Sequence, residues 1–148
     1  MIAIEKFDYV PYDDESEKAS NSYLMSLIAI MAGLPLPIIN LLATLIFYLG
    51  IRKSTYFARW HATQALISQI SLLAINTVAF WWTIDVFILQ ESSASTPYIS
   101  YILTAFLFNL GEFIATIYTA IQTRKGIHVK WWFYGDFTDL ICEPDRDE

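Results

Sequence analysis

Few side chains here combine reactive chemistry with a telling position, and Glu112 leads them. It is the only charge between Tyr98 and Thr123, inside a long apolar run. A carboxyl placed in lipid costs a few kcal/mol or more, so such groups face a bundle interior and mark an ion path or a partner. Counting inward from the basic residues, Asn40 falls at about the same depth. Gln69 and Asn76 bracket that depth, and Asn109 lies one helical turn from Glu112. These five residues form a candidate intramembrane polar layer. Three uses are open: a proton or ion relay, a neutral carboxyl whose hydrogen bonds hold helices together, or an acid that meets a cation on a partner subunit. No Lys or Arg of this chain shares that depth, which makes a poor relay.

The second candidate is Phe57-Ala58-Arg59-Trp60-His61-Ala62-Thr63-Gln64-Ala65-Leu66. Helical spacing gathers Phe57, His61, Gln64 and Ser68 on one face, polar where it enters the bilayer. His128 is the only other histidine and Cys142 the only cysteine. A metal site needs three or four ligands, and this spacing fits no metal motif. A single cysteine forms no intrachain disulfide. The serines and threonines lack a paired base, and neither a glycine-rich phosphate loop nor a nucleophile elbow occurs. The expectation is a protein that is not an enzyme and carries no cofactor or metal.

The elements that must position these residues are membrane spans. Of 148 residues, 55% are hydrophobic and only 16% charged, against roughly 25% charged in soluble domains. Between Ala19 and Thr123 the charges are Asp85, Glu91, Glu112 and one basic group, Arg52, Lys53 and Arg59. The net charge of -6 comes mostly from the two ends. An acidic balance without a basic stripe argues against nucleic acid. The acidic, aromatic start does not read as a cleavable signal peptide.

A span needs about 20 apolar residues. The stretch 19–51 is long for one helix and short for two, with Pro35 and Pro37 in its middle. Prolines break the helical ladder, so the stretch is either one kinked span or a short hairpin. With a hairpin, every Lys and Arg lies on one face, and the positive-inside rule favours that reading. The expected fold is all-α, an integral membrane four-helix bundle with a short N-terminal helical hairpin. It divides into an acidic tail (1–16), a transmembrane domain (17–126, helices near 17–33, 36–51, 55–84 and 97–123) and a C-terminal segment (127–148). The polar stretch 85–97 reads as a loop.

Trp131, Trp132, Phe133 and Tyr134 follow Lys130 in a segment too short to span. They suit either the headgroup layer or a docking patch for another subunit. The expected setting is a bacterial inner (plasma) membrane, multi-pass, with both termini cytoplasmic. The expected partners are the lipid bilayer and other membrane subunits or further copies of the chain.

Phe57-x-Arg59-x-His61-x-x-Gln64-Ala65-Leu66, after an apolar helix ending in Arg52-Lys53, resembles a group of small bacterial membrane proteins. That group is related to the twenty-kilodalton Tic component of chloroplast protein import. The proline turn at 34–37 and the Lys125-Gly126 end match its order of elements, over about residues 22–130. The sequence departs from it at Trp131-Trp132, where a Tyr-Pro step is usual. The resemblance implies four helices and an accessory role linked to protein translocation, with Phe57, Arg59, His61 and Gln64 as the signature. A channel or proton-coupled transport component using Glu112 is the alternative.

Overall fold

The structure is a computed structural model that describes residues 2–33, 37–89 and 94–142, with side chains described outside 29–40. Its elements are β1 (Ile2–Glu5), α1 (Asp13–Gly33), α2 (Pro37–Ile51), α3 (Tyr56–Ile84), α4 (Thr96–Arg124), β2 (His128–Trp131) and α5 (Trp132–Ile141). The chain is mostly helical, as an all-α protein should be. The addition is a two-stranded antiparallel sheet that pairs Ile2 with Trp131 and Glu5 with His128.

Helix α1 opens at Asp13, earlier than the span alone requires. Three acids occupy its first turn, where the helix dipole favours them. The Glu15 carboxylate accepts the Tyr12 backbone N–H, closing the free end as in a capping box. Pro37 stands first in α2, where a missing N–H costs nothing. Asp85 does not begin a loop: α3 runs on as a π-helical turn to Leu89. Helix α4 ends in a Schellman motif. Gly126 N–H donates to the Thr123 carbonyl and Ile127 N–H to that of Gln122, with Gly126 at φ +73°. This turn sends the chain back along the helices as β2.

Helix α1 packs against α2, α3 and α4. Ser20 Oγ donates to the Ala120 carbonyl, and Arg124 meets Glu17 at 3.3 Å. Tyr23 reaches His61 near the start of α3. The starts of α1 and α3 and the end of α4 therefore share one end of the molecule. The main apolar core lies there too, built from Tyr23, Ala65, Ala120, Val129 and Trp131. Away from it, large apolar side chains point outward, among them Leu42, Ile46, Ile70, Val78, Leu103, Phe106 and Ile114. An apolar patch of that extent calls for lipid or protein. Among the described residues, two helices are long and apolar enough to cross a membrane, Tyr56–Leu89 and Thr96–Arg124, and Leu41–Ile51 is a shorter apolar helix.

Candidate functional site

Phe57, His61, Gln64 and Ser68 point inward from α3, and all four are buried. Gln64 is the hub. Its Nε2 donates to Tyr23 Oη (2.7 Å) and to the Val129 carbonyl (3.1 Å), while its Oε1 accepts the Trp131 backbone N–H (2.9 Å). Both amide protons are thereby used. Tyr23 Oη, already accepting from Gln64, is free to donate to His61 Nδ1 at 2.9 Å. That leaves His61 Nε2 to donate to His128 Nδ1 at 3.2 Å. The result is a buried chain, Gln64 to Tyr23 to His61 to His128, closed by protein groups along its length.

Aromatic rings wall in the two imidazoles. Phe57 stacks edge-on to His61 at 4.6 Å between centroids, Trp60 to His128 at 4.4 Å, and Phe7 lies 4.8 Å from His128. Burial is the main reason His128 is held down to about 4, with Lys130 adding to it and Asp139 and Asp8 opposing. Arg59 stays half-buried, its guanidinium over the Tyr56 ring. Of the four signature residues, the structure brings Phe57, His61 and Gln64 together around β2 and leaves Arg59 at the rim.

A second layer pins α5. Asp139 accepts the Trp60 indole N–H at 2.8 Å and the Lys130 ammonium at 2.7 Å, and Asp136 holds the same ammonium at 2.9 Å. The two carboxylates hold the Lys130 ammonium well above the ordinary lysine range. Cys142 donates to Thr63 Oγ1 at 3.2 Å, and burial pushes its thiol up. Among the described residues, no three His, Cys, Asp or Glu side chains gather as metal ligands.

The four aromatic residues of the C-terminal segment divide. Trp131 is buried, its indole donating to Thr119 Oγ1 at 2.6 Å. Tyr134 turns inward, half-buried, with its hydroxyl close to Ser71 and Glu112. Trp132 and Phe133 face outward, 72% and 56% exposed, as do Phe137 and Leu140.

The candidate polar layer divides as well. Asn76 and Asn109 exchange amide hydrogen bonds of 2.9 and 2.7 Å between α3 and α4. Gln69 is buried with no partner for either amide atom, and Glu112 is 6% exposed with Oε2 unpartnered. The Asn40 side chain lies outside the described residues. Glu112 belongs instead to a groove of about 550 Å³ between α4 and the β2–α5 turn, lined by Phe108, Gly111, Trp131, Trp132, Phe133 and Tyr134 among others.

Sequence reasoning missed Tyr23, Thr119 and Val129. One of them, Thr119, carried a signal. Thr116, Thr119 and Thr123 recur on one face of α4, and Ser22 with Ser26 on α1. Small polar residues at such spacing mark contact faces in membrane helices.

Fold and site together define a small, mostly helical protein with two helices long and apolar enough to cross a membrane and with buried polar residues that hold its own C-terminal segment. The chain matches the magnetosome magnetite crystal formation protein family (MamF and MmsF) over residues 19–138, and it belongs to that family. This overturns the resemblance to the Tic-related group, because the match spans residues 19–138 and assigns the chain elsewhere. The expected link to protein translocation rested on that resemblance and falls with it. No curated protein and no solved structure matches the chain.

Proposed function

We propose that this chain is a multi-pass, non-enzymatic structural subunit of the magnetosome membrane, acting in magnetite crystal formation. The family match supports the process. One structural observation supports a structural role: the inward side chains of the α3 signature, His61 and Gln64, are fully buried and bonded to the protein's own backbone and rings. All four helices α1 to α4 cross the bilayer in this reading, α1 and α2 as a short hairpin tolerated by local thinning. Both ends then lie on the basic, cytoplasmic face. Trp132 and Phe133 contact lipid or a neighbouring subunit there.

Deleting the gene in its host and sizing crystals by electron microscopy tests the role. Altered crystal size or number, restored by the intact gene, is the expected result; unchanged crystals overturn it. Membrane fractionation with tagged protein tests the location.

A further inference from the structure

We propose that the groove beside Glu112 is a binding site for the primary ammonium of an aminolipid. Two hollows, of about 550 and 380 Å³, share Ile2, Gly111 and Ala115 and run along α4 between Leu107 and Tyr118. That is roughly 16 Å of helix. Both hollows are within the range of small-molecule sites. Leu107 and Ile114 on the same helix are exposed, so the groove opens sideways toward lipid.

Glu112 supplies the anchor. The residue is 6% exposed, Tyr134 lines the same groove beside it, and Oε2 has no partner. An orphaned buried acceptor is costly, so it favours a ligand that brings an N–H donor. The walls are aromatic: Phe108, Trp131, Trp132, Phe133 and Tyr134. Ring faces attract cations. One carboxylate among rings is an ammonium site; a metal ion needs more ligands than the groove offers. A choline head carries no N–H for Oε2. A glycerol head brings its phosphate charge toward a carboxylate without a compensating cation. The ethanolamine head meets both demands, and its acyl chains leave along the lipid-facing side of α4.

The test is native mass spectrometry of the purified full chain with phosphatidylethanolamine, phosphatidylcholine and phosphatidylglycerol of matched acyl chains. The expected result is at least fivefold greater retention of phosphatidylethanolamine. Glu112→Gln removes the charge and should abolish that preference. Gly111→Leu fills the groove from a position where an added Cβ meets nothing within 4 Å, leaves Glu112 in place, and should abolish it too. If Glu112→Gln does not fold by circular dichroism, Gly111→Leu decides alone. A preference below fivefold, or one that survives the folded variants, overturns the proposal.

Discussion

Gln64 grips the backbone on both sides of Lys130: it donates to the Val129 carbonyl at 3.1 Å and accepts the Trp131 N–H at 2.9 Å. A side-chain amide here takes the place of a neighbouring strand. β1 lies along β2 as its paired strand, and Gln64 reaches β2 from α3, in the interior.

Gln64→Ala should therefore loosen the C-terminal hairpin more than the helices. It removes two hydrogen bonds to β2 and leaves a buried donor and acceptor unpaired, at about 1–3 kcal/mol each. Gln64→Glu keeps an acceptor for Trp131 and loses both donors, so it should rescue little. Thermal unfolding in detergent, beside limited proteolysis after residue 126, separates hairpin release from global unfolding.

Cys142 reports on that release directly. It is buried against Thr63 and is the chain's only thiol. Maleimide labelling should be slow in the intact protein at neutral pH and at least tenfold faster in Gln64→Ala. Equally slow labelling in both would mean that Gln64 does not hold the segment closed.

Acid should weaken the same contact. His128 is held at about 4 when folded, chiefly by burial, against about 6.5 in an unfolded chain. Between those values the unfolded state binds the extra proton. The stabilisation is complete above about pH 6.5 and is lost progressively as pH falls toward 4, by at most about 3 kcal/mol. His128→Asn should flatten the part of the pH–stability slope that lies in this window.

Gly126→Ala should cost about 1–2 kcal/mol, because the residue sits at positive φ in the turn that closes α4. The new Cβ would also press on Pro11 Cγ at 3.3 Å. Denaturant titration measures it, with Gly50→Ala, a helical site where nothing lies within 4 Å, as the unhindered comparison expected to stabilise slightly.

The amide pair between α3 and α4 should behave cooperatively. Asn76→Leu or Asn109→Leu alone takes the interhelical partner from one half-buried amide, at about 1–2 kcal/mol. The double variant should cost clearly less than the sum of the two. Additive losses would mean that the two amides do not depend on each other.

Helix limits were legible because local chemistry sets them: prolines near 34–37, the basic turn at Arg52-Lys53, and Lys125-Gly126 after α4. The inward face of α3 followed from the spacing of Phe57, His61, Gln64 and Ser68. The partners of that face were not legible. Tyr23 and Val129 meet Gln64 from 41 and 65 residues away, and no local pattern encodes such a distance. The strands were hidden for the same reason, since each of Ile2–Glu5 and His128–Trp131 is four residues long and gains its pairing only from the other. Glu112 was visible as a misplaced charge, whereas Tyr134 beside it depends on the chain reversing at Gly126.

The separation of His61 from His128, 67 residues, also sets a timetable for biosynthesis. At ~5–20 residues per second, α3 exists for roughly 3–13 s before its partner strand is made. During that interval His61 and Gln64 must be hydrated, held by the insertion machinery or paired with something temporary. The strand that seals the seam is thus made after the helices it closes, and a chain cut near residue 126 would leave α1 to α4 with an open, polar seam.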